Sequence, residues 1–480
     1  AARLVIPTPD RPVTLIRGDC RAVLAKLPEN SIDSGAVDPP YEIGFMGRAH
    51  DRSGVAFDIE VWRAAFRVLK PGGYLVSFGA PRTYHRMACA VEDAGFEILD
   101  SIDWLFGNGM IKSKNLGRAI DMDLCTEPGP HCEATLAKTS GAHLCPQHPA
   151  GDPYRKTGTA VAPGHETIVL ARKPLVGTYA ENVQAFGTGG LENDACRLPR
   201  GSLPKNILLS HSPDCVREGT RVVGSGEKKI GGPPRANDGH KLSAQNAGRD
   251  AAVMSYGAEE APAYRCAPSC PILHLDQQGG TRTSGQMRAG TLRAPRGEQT
   301  IYGAMAGAAA KADMIADSGP VSRYFTNLDW DPVYDAPLFY CPKAPRSEKD
   351  LGCEALPLRS ASATVDREAG SAGIRNARAG AGRTSGGRNF HSTVKPLALM
   401  RWLVRLVTPP GGIVIDFFTG SGTTGVAAVL EGRRFLGVEL DRDNGGGSAG
   451  YLAIAGARIT HALEAAHRQA DADDRDLDAG

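Results

Sequence analysis

The chain has 480 residues, with 55 Lys and Arg against 53 Asp and Glu and a formal net charge of +2, so bulk charge does not mark a nucleic-acid binder. No run approaches 18 consecutive apolar residues and no basic-then-apolar leader opens the sequence, which predicts a soluble cytoplasmic protein without a membrane partner. Eleven cysteines in so long a chain favour thiols or metal ligands over a disulfide framework, and 58 glycines with 33 prolines require loop-rich segments.

The length suits two domains, one catalytic and one inserted. Val13 to Arg17 predicts a short strand, and a helix from Arg21 to Leu27 follows Gly18-Asp19-Cys20. Asp19 at the strand tip can accept a hydrogen bond from a ligand or cap that helix, and the two roles are compatible. A strand over Ile32–Val37 then delivers Asp38-Pro39-Pro40-Tyr41. The prolines stiffen the backbone and remove two N–H groups. Asp38 and the Pro39 carbonyl remain as acceptors beside an aromatic ring, a set that suits a flat group bearing an exocyclic amine. The alternative is an Asp-Pro turn with Tyr41 capping a core.

Phe57–Leu69 shows helical spacing and stops at Lys70-Pro71-Gly72-Gly73, after which Tyr74–Phe78 reads as a buried strand. Thr83–Ala94 is a second amphipathic helix ended by Gly95. Phe96–Phe106 is a strand leading into Gly107–Ser113, and Thr167–Ala171 and Phe435–Glu439 are further strands. Strands interleaved with helices predict an α/β fold with a mostly parallel sheet.

Two Cys/His sets interrupt this pattern. Cys125, Cys132, Cys145 and His148 can enclose a tetrahedral zinc, as can His211, Cys215, Cys266 and Cys270; the alternative in both places is incidental thiols in polar loops. Arg217, Arg221, Lys228, Lys229, Arg235 and Lys241 are spaced by glycines, suited to phosphate contacts or to a solvated surface. From 359 to 390, Arg359, Arg367, Arg375, Arg378, Arg383 and Arg388 face only Asp366 and Glu368 in an Arg/Gly/Ala/Ser tract, the composition of a segment that orders on DNA.

The decisive stretch is Gly412-Ile413-Val414-Ile415-Asp416-Phe417-Phe418-Thr419-Gly420-Ser421-Gly422-Thr423-Thr424-Gly425, a strand, a glycine turn and a helix start. It resembles the S-adenosyl-L-methionine (AdoMet) motif of the DNA amino-methyltransferases, which modify adenine N6 or cytosine N4. His391-Ser392-Thr393-Val394-Lys395-Pro396 looks like that family's companion motif, with Ser where Pro is commoner, and Phe417 stands where the family often has Pro. The catalytic motif precedes the cofactor motif, the permuted order of the family's β class, in a phage-type build.

The resemblance implies a Rossmann-like methyltransferase fold, a circularly permuted seven-stranded sheet. It implies halves at 1–178, carrying a Cys/His-rich insert at 125–160, and at 391–465. Between them would lie a target-recognition domain at 179–345 and the Arg-rich segment at 346–390, with an acidic tail at 466–480. It implies catalysis by Asp38, Pro39, Pro40 and Tyr41 on a flipped base, direct methyl transfer and double-stranded DNA as substrate. A homodimer and a cognate restriction enzyme are partners found in such systems.

By the same resemblance, Asp416, Phe418, Gly420, Ser421, Gly422 and Thr423 hold the methionine portion of AdoMet, and Glu439 holds the ribose. Asp19 and Cys20 meet the adenine, Thr393 and Lys395 complete the pocket, and Asp38 borders the cofactor. Asp-Pro-Pro-Tyr leans toward adenine N6. The alternatives are cytosine N4 and a catalytically silent, zinc-bearing DNA-binding protein.

Overall fold

A computed structural model of the protein describes residues 12–43, 49–105, 164–196, 203–210, 215–223, 226–230, 252–256, 259–268, 270–283, 346–358, 387–391, 393–440 and 450–478, with isolated short pieces elsewhere. The Gly107–Ser113 loop, Cys125, Cys132, Cys145, His148, His211, Arg235, Lys241 and most of the tract at 359–390 lie outside the described residues. The chain divides into two compact units, Ala1–Glu192 with Trp330–Gly480, and Asn193–Asp329.

Among the described residues the first unit holds seven strands: β1 Val13–Arg17, β2 Ile32–Val37, β3 Leu69–Gly79, β4 Glu97–Leu105, β5 His165–Arg172, β6 Ile413–Asp416 and β7 Arg434–Glu439. They lie side by side in the order β1-β7-β6-β2-β3-β5-β4. Pairs from β1 through β3 are parallel, and β5 runs antiparallel to both of its neighbours. This is the Rossmann-like, mostly parallel α/β sheet expected of a methyltransferase. From β6 the chain moves outward to β7, and from β2 it moves the other way to β3. The crevice beyond the C-terminal ends of β6 and β2 is therefore the topological switch point, where open α/β sheets hold ligands.

Burial explains the placement. Every residue of β2 and β6 is buried, as strands covered on both faces must be. Helix α1 (Cys20–Leu24) is shorter than the Arg21–Leu27 segment expected. Helix α2 (Ile59–Val68) starts at Asp58, which accepts from Glu60 N, and buries Val61, Trp62, Ala65 and Val68. Trp62 meets Phe417 edge-on at 5.7 Å, tying α2 to the glycine turn. Aromatics buried this completely contribute on the order of 2–3 kcal/mol each. Helix α3 (Tyr84–Asp93) packs on the same core through Met87, Ala90 and Val91.

Lys70–Gly73 follows directly on the end of α2, as expected, but it is not a loop. It forms a bulge within β3, because Leu69 pairs with Ile32 and the next pair on that side is Tyr74 with Ser34. Asp33 accepts from Lys70 Nζ at 2.6 Å and from Ile413 N at 2.7 Å, fixing the starts of β2, β3 and β6 together. Gly72 takes φ +77°, and a Cβ there would meet Asn182 Nδ2 at 2.4 Å. Asn182 belongs to α4 (Tyr179–Phe186) and donates to Pro71 O and Thr188 O, so the Gly187–Leu191 segment docks at the end of the sheet opposite the switch point.

Further helices of the unit among the described residues are a short one at Arg346–Asp350, α5 (Leu397–Val407), α6 (Thr423–Leu430) and α7 (Tyr451–Asp478). Helix α7 continues through the segment expected as an acidic tail from 466. In the second unit, antiparallel pairs join Val216–Val223 to Glu259–Arg265 and Gly226–Ile230 to Ala252–Tyr256, and a helix spans Pro271–Gly279. Among the described residues no helix is long and apolar enough to cross a membrane.

Candidate active site

The parallel pairing of β6 with β2, Ile415 opposite Gly35, sets Asp416 and Asp38 at adjacent strand tips. Burial holds the Asp416 carboxyl high, and the Asp38 charge adds to it. The two stretches singled out in the sequence therefore face one crevice.

At the β2 tip, Lys395 Nζ donates to Asp38 Oδ2 at 2.6 Å and stands 3.7 Å from Glu166 Oε2. Tyr41 OH donates to the same Glu166 oxygen at 2.8 Å. Lys395 Nζ lies 5.1 Å from the Tyr41 ring centroid and 4.8 Å from that of Phe78. Burial works against the Lys395 charge, yet Asp38 and Glu166 hold its ammonium above the ordinary lysine value. Burial raises the Tyr41 phenol well above its ordinary value, and Asp38 and Glu166 add to that shift. The main chain after Tyr41 is fixed by Thr83 Oγ1, which donates to Tyr41 O at 2.8 Å, and by Arg82 Nη2, which donates to Ile43 O at 3.0 Å.

At the β6 tip, Asp416 is 2 % exposed. Thr424 Oγ1 donates to its Oδ2 at 2.6 Å and Phe418 N to its Oδ1 at 2.9 Å. Burial pushes this carboxyl up from 3.8 to about 7. Glu439, ending β7, accepts from Gly420 N at 2.7 Å, and Thr419 N donates to Val438 O. The turn is too tight for side chains: Gly422 has φ +78°, and a Cβ there would sit 2.8 Å from Ala455 Cβ.

Arg458 of α7, 3 % exposed, braces the turn from beneath. Its Nη1 donates to Ser421 O at 2.8 Å and Thr423 Oγ1 at 3.0 Å. Glu348, pushed up to about 7 by burial and pulled back by Arg458, accepts from Leu397 N at the start of α5.

Among the remaining expected residues, Asp19 lies at the N-cap of α1, accepting from Arg21 N at 2.9 Å, and β1 pairs Arg17 with Glu439 beside it. Cys20 is buried, and burial raises its thiol to about 11. Thr393 is exposed. Pro39 and Pro40 follow Asp38 without a cis peptide bond. Glu166, Thr424 and Arg458 were not anticipated. Glu166 opens a reversed strand, so its first residues, not its last, reach the edge where the parallel strands end.

In the second unit, the Sγ atoms of Cys215, Cys266 and Cys270 lie within 4.8 Å of one another. None of the three is in a disulfide, Ala267 N donates to Cys215 Sγ at 3.4 Å, and burial raises the Cys266 thiol above its ordinary value. The fourth member of the expected set, His211, falls outside the described residues.

Residues 361–444 match a family model described as DNA methylase. That methylase-matching stretch contains Lys395, Asp416, the glycine turn and Glu439. Two curated relatives from Escherichia coli strain K12 align over short segments. "Putative methylase YubD" is 46% identical over 54 residues, 11% of this chain and 24% of its own length. "DNA adenine methyltransferase YhdJ" is 43% identical over 53 residues, 11% of this chain and 18% of its own length. The chain thus covers a quarter or less of each of these relatives.

Among solved structures, TTHA0409 from Thermus thermophilus, described as a "Putative DNA Modification Methylase", aligns over 94% of this chain and 95% of its own at 17% identity, with a TM-score of 0.34. The PvuII DNA methyltransferase, described as cytosine-N4-specific, aligns over 95% and 92% at 11% identity, also with a TM-score of 0.34. At that score the fold rests on the strand order above.

Proposed function

We propose that the protein transfers a methyl group from AdoMet to the exocyclic N6 amine of adenine in double-stranded DNA, as a permuted, β-class amino-methyltransferase. The observation that carries this reading is the adjacency of Asp38-Pro39-Pro40-Tyr41 to the glycine turn across the β2/β6 switch point. The methylase-family match over the cofactor half and the methylase relatives support it.

When bound, AdoMet supplies an electrophilic methyl group on a sulfonium. Gly420, Ser421 and Gly422 let the methionine portion approach the main chain closely, beside Asp416, Phe418 and Thr423. Glu439 is placed for the ribose hydroxyls and Asp19 for the adenine amine, with Cys20 behind it. The Asp38 carboxylate and the Pro39 carbonyl accept the two amine hydrogens of a flipped base. They turn its lone pair out of conjugation and toward the methyl carbon, while Tyr41 offers a stacking face. AdoMet held there would supply the methyl group and leave as a neutral thioether keeping the C–S bonding pair, and Asp38 would take the proton that the amine loses. Proximity supplies much of the rate.

The second unit we assign to target recognition, together with structural zinc. Cys215, Cys266 and Cys270 fit the metal, because tetrahedral thiolates about 2.3 Å from zinc stand about 3.8 Å from one another, within the spread observed. His211 is the proposed fourth ligand.

Incubation of plasmid DNA with methyl-labelled AdoMet, with tRNA as competitor, followed by mass spectrometry of the released nucleosides, tests the assignment. N6-methyladenine is expected in the DNA. N4-methylcytosine would overturn the choice of base, and AdoMet binding without any transfer would favour the silent DNA-binding alternative. Metal analysis of the purified protein should find one zinc per chain for this cysteine set.

A further inference from the structure

Lys395 stands between two carboxylates in a pocket where it is 7 % exposed, 2.6 Å from Asp38 and 3.7 Å from Glu166. Two acids and one ammonium leave one negative charge uncompensated, and in a buried site such an imbalance matters far more than in water. The ammonium sits on Asp38 Oδ2, an acceptor that the chemistry above assigns to the substrate amine. Docking of that amine therefore requires Lys395 to give ground. A compact ammonium on a four-carbon stem can do so only toward another acceptor within reach.

We propose that Glu166 is a positioning residue that receives the Lys395 ammonium when a substrate amine docks at Asp38. The inference rests on the methyltransferase reading and adds to it the seat to which the lysine moves. Tyr41 OH holds Glu166 Oε2 at 2.8 Å, so the seat is placed in advance. The Tyr41 and Phe78 rings flank the ammonium and keep attracting it in either position. Burial keeps the Glu166 carboxyl above its ordinary value even with Lys395 nearby, the sign of an acid that gains from a closer cation. Tyr41 would then serve twice, stacking on the base with its ring and fixing Glu166 with its hydroxyl.

Glu166→Gln separates charge from contact, because the amide oxygen still accepts from Tyr41 while the negative charge is lost. With AdoMet saturating, the single-turnover rate on target DNA is expected to fall about 100-fold, the scale of one misplaced proton-handling group, with the AdoMet Kd within about twofold of native. Glu166→Asp, which restores a carboxylate, should recover about tenfold of that loss. A Glu166→Gln rate within about threefold of native, or a Glu166→Asp variant no faster than Glu166→Gln, would overturn the proposal. The native chain in the same assay keeps the two claims apart. Absence of transfer by the native chain would remove the methyltransferase reading itself, whereas equal transfer by native and Glu166→Gln removes only the role given to Glu166.

Discussion

The two strand tips that face the crevice hold their acids in opposite ways. Asp38 at the end of β2 is 19 % exposed in its side chain and is compensated by a side-chain cation, Lys395. Asp416 at the end of β6 is nearly sealed and is compensated by a hydroxyl and a backbone N–H that are fixed parts of α6 and the turn. An ion pair can exchange one partner for another during a reaction, whereas hydrogen bonds from the local main chain hold a shape. Under the proposed function, the difference gives chemistry to the first tip and architecture to the second.

The largest expected effect breaks the first tip. Asp38→Ala should lower single-turnover methylation by about 10³-fold, the range for removing a group that stabilises charge in the transition state, while AdoMet still binds within a few-fold of native. Equal losses in rate and in AdoMet affinity would place Asp38 with the architecture instead. Next comes the brace under the second tip. Arg458→Met leaves the Ser421 carbonyl and Thr423 hydroxyl without their buried donor and Glu348 without its neighbouring cation, so chemical denaturation should show a loss of about 3 kcal/mol. AdoMet affinity should weaken with it, and an unchanged denaturation midpoint would detach α7 from the turn.

The contrast between the tips also explains what could be read in advance. Asp38–Tyr41 follows one short buried strand and Asp416–Thr423 starts at the end of another, and the family resemblance implied that their tips would meet. Glu166 gave no such signal, because nothing in His165–Arg172 says that the strand runs backwards. Helix α5 has no broad polar face in the sequence because Leu397–Val407 is apolar on almost every side. Its two arginines, Arg401 and Arg405, fold onto Glu431 instead of marking a solvent face. Lys70–Gly73 stops α2 but gives no local sign of the bulge, because its partner Asn182 lies more than a hundred residues away. Long-range partners, not local propensity, decided each of these.

A pH series sharpens the comparison at the second tip. Because burial holds Asp416 at about 7 in the folded chain against an ordinary 3.8, this carboxyl favours the fold most at low pH, and its contribution declines as pH rises from about 4 to about 7. A cationic ligand beside it favours the ionised form, so AdoMet should bind about tenfold more tightly at pH 8 than at pH 6, with little further change above. In Asp416→Asn the affinity should stay flat across that range. A native protein whose AdoMet affinity is equally flat would mean that the ligand's charge lies elsewhere.

The smallest effect belongs to Asp19, the one expected cofactor acid whose visible partner is a surface arginine. Arg21 pairs with Asp19 and Asp58 while about half exposed. Solvent screens such pairs, so Arg21→Ala should change stability and AdoMet affinity by less than about twofold. Asp19→Ala removes both the N-cap of α1 and the proposed adenine acceptor, and should cost about tenfold in AdoMet affinity. The cap loss alone acts on stability and not on which nucleoside is preferred. Competition between AdoMet and an analogue lacking the adenine amine therefore separates the two roles of Asp19: a preference for AdoMet that survives in Asp19→Ala leaves the residue as a cap and nothing more.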